Sequence, residues 1–177
     1  MSGKKILYWA YCANMLANRM ECCVHKSVKR LEPAQLKDHI LAYGRFSPQW
    51  YGTLPTIIKY PNGEVWGSIW ELDESHQKLL DELQGVNAGI YEPIKIEVVA
   101  HRGVVNALTY KLVENPPKPE KKYGIPLKKY RPSKIYKEQM IAGAVESCLP
   151  LYYRKQLLRM PDNGYTGSVL PVFDDRV

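Results

Sequence analysis

The sequence has no run of eighteen apolar residues, so no stretch of it reads as a membrane-spanning helix. Its four cysteines (Cys12, Cys22, Cys23, Cys148) form no C-x-x-C pair and have no zinc-ligand spacing, which predicts reduced and mostly buried thiols. The histidines (His25, His39, His76, His101) stand singly, without an H-x-x-x-H pair, and read as surface or packing residues. There is no Walker A sequence, no G-x-G-x-x-G and no G-x-S-x-G elbow, so the common nucleotide-binding and serine-hydrolase signatures are absent. Internal repeats and low-complexity tracts are also missing. Acids are scarce relative to bases, with 18 Asp and Glu against 25 Lys and Arg, giving a net charge of +7 and a pI near 9.1.

What is present describes a folded chain. At 177 residues there is material for one domain with a real core, and the 45% hydrophobic content with 13 tyrosines excludes a disordered composition. The boundaries expected are a domain over residues 1–170, with a basic loop insertion at 116–132, and a tail at 171–177. Met1-Ser2-Gly3-Lys4-Lys5 followed by Ile6 to Ala10 faintly imitates a secretion signal. Asn14, Asn18 and Arg19 break the apolar stretch early, however, and the expectation is a cytoplasmic protein. Between Lys118 and Lys137 eight basic residues face one acid, Glu120, with Tyr123, Tyr130 and Tyr136 interleaved. That mixture would suit nucleic acid or an anionic surface. Its prolines favour a solvated loop, and no RNA- or DNA-binding motif accompanies it.

In chain order, Lys5 to Tyr11 reads as an apolar and therefore central strand. It runs into small residues at Cys12-Ala13-Asn14-Met15, where backbone N–H groups could turn toward an anion, or where the chain simply turns a corner. Leu16 to Cys22 opens a short helix. His39 to Phe46 and Leu54 to Tyr60 read as strands separated by Trp50-Tyr51-Gly52. Pro61-Asn62-Gly63-Glu64 has the chemistry of a hairpin turn, with Glu64 to Leu72 as the returning strand, buried on both faces. Gly67 within it suggests close approach of another backbone or of a ligand. Leu79, Leu80 and Leu83 share one face of a helix, with Asp73 or Ser75 as its N-cap and Gly85 as its left-handed stop. Gln84 then occupies the last turn, where a carboxylate would feel the negative end of the helix dipole and hold its proton more firmly. Strands follow at Ile90 to Ala100 and Val104 to Val113. Ser133 caps a helix reaching to about Cys148, with Ile141, Val145 and Cys148 facing inward, and Pro150 begins a last short helix that ends before Pro161. Strands, an inserted helix, more strands and then helices predict an α+β domain with a mixed or barrel-like sheet.

Several of these segments together resemble one family. Tyr8-Trp9-Ala10-Tyr11-Cys12-Ala13-Asn14-Met15 is similar to the Y-G-S-N-L signature that follows an apolar strand in γ-glutamylcyclotransferases. The likeness continues through Trp50-Tyr51-Gly52, Gly63-Glu64-Val65-Trp66-Gly67, Leu80-Asp81-Glu82-Leu83-Gln84-Gly85-Val86 and Gly89-Ile90-Tyr91. It extends to Pro132-Ser133-Lys134-Ile135-Tyr136, Gly143-Ala144, Leu149-Pro150 and Tyr165-Thr166-Gly167, in the same order. Only the basic loop looks longer than usual.

The resemblance implies a single-domain mixed β-barrel with flanking helices, no cofactor, and a γ-glutamyl peptide or similar small anion as ligand. A homodimer is compatible with it. Enzymes of this family close the glutamyl part of a γ-glutamyl dipeptide into 5-oxoproline. The substrate's own α-amine attacks its γ-carbonyl, so the nucleophile is already tethered. A C–N bond forms in the ring, the original γ-amide C–N bond breaks, and the proton lost by the ammonium ends on the departing amine. One carboxylic acid can carry that proton both ways. Carried over position by position, the turn Tyr11, Cys12, Ala13 and Asn14 binds substrate, with Tyr8 and Ala10 on the strand before it. Tyr91 and Tyr136 line the site, and the catalytic glutamate falls at Gln84.

Two departures bear on activity. Cys12-Ala13 replaces Gly-Ser, which puts a Cβ where a positive φ would suit glycine and removes a hydroxyl. Gln84 replaces the acid with an amide of nearly the same shape. Asp81 and Glu82 are near in sequence, but Asp81 is short and Glu82 leaves the helix on another face, so neither is expected to substitute. The leading expectation is therefore a formed pocket with impaired cyclotransferase activity. The alternatives are an active enzyme served by another acid or acting on another substrate, and a module binding nucleic acid or anionic lipid through the basic loop.

Overall fold

The apolar start of the chain forms strand β1, Lys5–Ala10, which grows more buried toward Tyr8, Trp9 and Ala10. This is a computed structural model describing residues 3–118 and 126–167. The other strands are β2 (Lys29–Ser47), β3 (Gly52–Asp73), β4 (Tyr91–Ala100) and β5 (Gly103–Leu112). They close into a barrel in the order β1-β3-β2-β4-β5, which removes free sheet edges. β1 runs antiparallel to β3 from Lys5↔Asp73 to Ala10↔Ser68, and meets β5 in a parallel pairing at Tyr8↔Leu108. The α+β barrel expected from the element order is the architecture observed.

One stretch departs from the sequence reading. Asn62-Gly63 does not turn a hairpin; β3 runs straight through it. The two halves of β3 pair with two halves of β2, at His39↔Lys59 on one side and Lys37↔Glu64 on the other. The residues between bulge out. Asn62 takes φ +60 and its N–H donates to Asp38 Oδ1 at 3.0 Å, while Asp38 takes φ +54. The backbone freedom that asparagine supplies is used to bend a long hairpin around the barrel. The reversal itself lies between Ser47 and Gly52, with Tyr51 at φ +52. β2 also begins at Lys29 and not His39. Its first half holds Pro33 at a register shift and several charged residues, which erase the period-two signal.

Gly67 does mark a close approach. A Cβ there would lie 2.8 Å from Trp9 Nε1 and would also overlap the Ala10 carbonyl. Trp9, Trp70, Ile69, Leu72 and Leu112 fill the centre of the core.

Helix α1 spans Ala17–Cys23, α2 Gln77–Leu83, α3 Lys134–Glu146 and α4 Leu151–Arg159. Gly85 ends α2 at φ +63, and Leu80 is fully buried between partly buried Leu79 and Leu83. Neither Asp73 nor Ser75 caps α2. A 3₁₀ turn, Glu74–His76, comes between, and Asp73 instead accepts a hydrogen bond from Lys5 Nζ at 2.8 Å. Ser133 does cap α3, its Oγ accepting from the Tyr136 N–H at 3.3 Å. The inward face of α3 is Tyr136, Met140, Gly143 and Ala144, whereas Val145 and Cys148 are exposed. Gly143 explains that choice, because its bare backbone lies on a 3₁₀ turn, Ala13–Met15, where a Cβ would come 2.8 Å from Met15 Cβ. Pro150 is the N-cap of α4. All four cysteines are free, but only Cys12 is buried, so the expectation of mostly buried thiols fails. The residues from 119 to 125 in the basic loop, and the tail beyond 170, lie outside the described residues. Among the described residues no helix is long and apolar enough to cross a membrane.

Candidate active site

The barrel's registration brings Tyr8, Tyr110 and the Gln84 amide together at one end of β1. Tyr8 sits beside Leu108 of β5, so Tyr110 follows close by, and the two rings meet edge to face at 5.9 Å. α2 ends over the same place because Gly85 stops it there, leaving Gln84 half-buried above the Tyr8 hydroxyl. The wall opposite is the turn after β1, held down by α3. A cavity of about 440 Å³ results, within the usual size range for small-molecule sites.

The Tyr8 hydroxyl is the hub of this cavity. It accepts hydrogen bonds from Asn14 Nδ2 at 3.0 Å and Gln84 Nε2 at 3.3 Å. Asn14 is oriented by Arg19, whose Nε donates to Asn14 Oδ1 at 2.8 Å. Arginine offers only donors, so the asparagine oxygen must face it and the nitrogen must face Tyr8. The Arg19 guanidinium lies over the Trp50 ring, 5.3 Å from its centroid. Burial pushes the Tyr8 phenol up to about 12, against the hydrogen bond from Asn14, which lowers it. Tyr8 is therefore a neutral donor and acceptor at neutral pH, unsuited to taking a proton from an ammonium.

The remaining walls are more apolar. Burial raises the Cys12 thiol well above its ordinary value, although the Tyr136 hydroxyl at its side pulls the other way. Tyr136 packs edge to face on Trp50 at 4.7 Å. Tyr91 and Tyr11 spend their hydroxyls on backbone carbonyls, Tyr91 on Pro55 and Tyr11 on Tyr110, both at 2.7 Å. Leu54, Leu83 and Ile90 add to these walls.

Of the residues singled out in the sequence, Tyr8, Tyr11, Cys12, Ala13, Asn14, Gln84, Tyr91 and Tyr136 all line the cavity. Ala10 does not. It is buried in the core, with its carbonyl facing Gly67. Cys12 has φ −135, so the positive φ that would favour glycine is not used there. Asp81 is not in the lining; its Oδ1 accepts from the Tyr110 hydroxyl at 2.5 Å. Glu82 does line the cavity, although its side chain is exposed. Arg19, Trp50, Glu82 and Tyr110 were not anticipated as site residues. Arg19 and Trp50 each left a trace, Arg19 as a lone cation one helical turn past the small-residue corner and Trp50 within a loop that matches the family.

The turn itself is braced from behind. Arg30 Nη2 donates to the Met15 carbonyl at 2.7 Å and to Glu146 Oε2 at 2.8 Å, and the same Glu146 oxygen accepts the Ala17 N–H at 3.0 Å. Partial burial works to raise the Glu146 carboxyl, but the Ala17 amide and Arg30 outweigh it and hold it below the usual range. One ion pair thus fixes both ends of the Met15–Ala17 corner. Among the described residues, no three His, Cys, Asp or Glu side chains are placed to share a metal ion.

Comparison with known proteins agrees with this architecture. The profile of the AIG2-like family matches residues 64–157. A γ-glutamylcyclotransferase of Bos taurus is 33% identical over 178 residues, which cover 98% of this chain and 88% of that protein. The chain belongs to the AIG2-like, γ-glutamylcyclotransferase family. The γ-glutamylcyclotransferase of Homo sapiens is 31% identical over 177 residues, covering 97% of this chain and 87% of that one. A solved structure of a γ-glutamyl cyclotransferase superposes with a TM-score of 0.82 at 32% identity, over 94% of each chain. Across the cavity of this chain the end of α2 and the turn after β1 face one another, through Gln84 and Asn14.

Proposed function

We propose that this cavity takes up a γ-glutamyl peptide or a similar small anion, and that it cyclises such a ligand poorly because Gln84 holds the position of the acid. The observation that carries this reading is the contact between the Gln84 amide and the Tyr8 hydroxyl at 3.3 Å. An amide there keeps the shape of a glutamate and can accept a hydrogen bond from an ammonium. It cannot remove the ammonium proton or return one to the departing amine, and positioned proton transfer contributes about 10²–10⁴ in rate. Neither neighbouring acid replaces it, since Asp81 is occupied by Tyr110 and Glu82 is exposed.

The test is release of 5-oxoproline from γ-glutamyl dipeptides by the natural chain and by Gln84→Glu. The expected result is turnover near background for the natural chain and a rise of about 10²–10⁴ for the variant. Fast turnover by the natural chain would overturn the reading. The position of Glu82 on the cavity wall supports one second reading, in which Glu82 carries the proton. Under it the natural chain is active and Glu82→Gln abolishes turnover.

A further inference from the structure

The charges around the cavity are poorly matched to a zwitterion. Arg19 uses Nε on Asn14 and, among the described residues, enters no salt bridge. Its outer nitrogens remain for a ligand, on a guanidinium that is half-buried and lies over Trp50. That is a favourable arrangement for a carboxylate, which a planar guanidinium can grip through two parallel hydrogen bonds. An ammonium has less to meet. Among the described residues, the one carboxylate in the cavity lining is Glu82, exposed and therefore screened by water and salt. Where a carboxylate would have faced the ammonium, Gln84 presents a neutral amide.

That amide has a pattern of its own. Its nitrogen gives one hydrogen to Tyr8, which leaves its second hydrogen and its oxygen as a donor beside an acceptor. A cis-lactam ring has the complementary edge, with an N–H and a C=O side by side. The Tyr8 oxygen already receives two amide hydrogens, so the phenol's own hydrogen is free to meet a ligand acceptor.

We propose that the cavity selects small carboxylates bearing a neutral amide or lactam and no ammonium, with Arg19 holding the carboxylate and Gln84 pairing with the amide edge. It is thus a binder of ring-closed, 5-oxoproline-type ligands in preference to open γ-glutamyl ones. This rests on the reading of the cavity as the ligand site and adds to it the choice of ligand.

The experiment is calorimetric titration of the full chain at neutral pH with 5-oxoproline, with L-proline, which has the same ring carrying an ammonium in place of the lactam, and with γ-glutamylalanine. The expected result is 5-oxoproline binding tighter than either of the others by about tenfold or more, the scale of one charge-assisted hydrogen bond gained or lost. Gln84→Glu should narrow or reverse the order between 5-oxoproline and proline, neither of which it can cyclise, since it supplies the missing negative charge and removes the amide edge. Arg19→Gln should weaken 5-oxoproline by about tenfold or more in a chain that circular dichroism shows to be folded, and Arg19→Lys should restore part of the loss. γ-Glutamylalanine or proline binding the natural chain as tightly as 5-oxoproline would overturn the selectivity while leaving the cavity as a ligand site. Full 5-oxoproline affinity in a folded Arg19→Gln chain would overturn the anion assignment. Binding of none of the three, by the natural chain or by Gln84→Glu, would overturn the cavity reading together with the inference built on it.

Discussion

Tyr8 shows how much of the site hangs on one atom. Its hydroxyl oxygen is the acceptor for both the Asn14 and the Gln84 amide, so Tyr8→Phe would preserve ring packing against Tyr110 and strand both donors. An unsatisfied donor in a buried setting costs about 1–3 kcal/mol, more than an ordinary hydrogen bond contributes. The expected outcome is a stability loss of about 1–3 kcal/mol in urea unfolding with an unchanged m-value. A loss near zero would mean that water or the Gln84 side chain re-partners freely. The same residue marks what was legible from the sequence. Tyr8, Asn14 and Gln84 were found because they sit inside short motifs. Arg19 and Tyr110 were not, because nothing local tells a cation on a helix or a tyrosine on a strand that the fold turns it into a cavity; Trp50 and Glu82 lay inside matched motifs but carried no sign that they face the cavity. Ala10 erred in the opposite direction, carried in by its neighbours although it is buried in the core and absent from the cavity wall.

Elements were legible where a single residue type has one structural use. Gly85 stopped α2, Ser133 capped α3, and Gly67 marked a close approach, each as its chemistry dictates. They were illegible where one local preference serves two structures, as with Asn62, whose positive φ suits a bulge as well as a hairpin turn. Gly143 is a similar case on α3. Replacing it with alanine should raise helix propensity by about 1 kcal/mol. Yet the new Cβ would lie 2.8 Å from Met15 Cβ and 2.9 Å from the Leu16 backbone nitrogen. A backbone atom cannot rotate aside, so α3 and the Ala13–Met15 turn must separate, at a cost of about 1–3 kcal/mol. Gly143→Ala should therefore lower stability in chemical denaturation and weaken ligand binding, because the turn that moves carries Asn14. A more stable variant would show that the two elements already have room to spare.

At the scale of the whole molecule the barrel depends on its narrowest seam. β1 and β3 share six paired positions, whereas β1 and β5 share one, Tyr8↔Leu108. Side chains supply what the backbone ladder there does not. The Thr109 hydroxyl donates to the Trp9 carbonyl at 2.7 Å, and the Tyr11 hydroxyl donates to the Tyr110 carbonyl at 2.7 Å, both in the interior. These cross-seam bonds hold Tyr8 and Tyr11 in line with Tyr110, so closure of the fold and construction of the cavity are one event. No period in the sequence announces such a seam, since a parallel contact between the first and last strands has no turn to mark it. Thr109→Val keeps the shape and deletes the donor, and Thr109 is fully buried, so no water replaces the bond at its side. The expected loss is about 1–3 kcal/mol in urea unfolding, accompanied by faster hydrogen exchange of the β1 and β5 amides relative to those of the β2–β3 hairpin. Uniform exchange across all five strands would instead mean that the seam opens only when the whole barrel does.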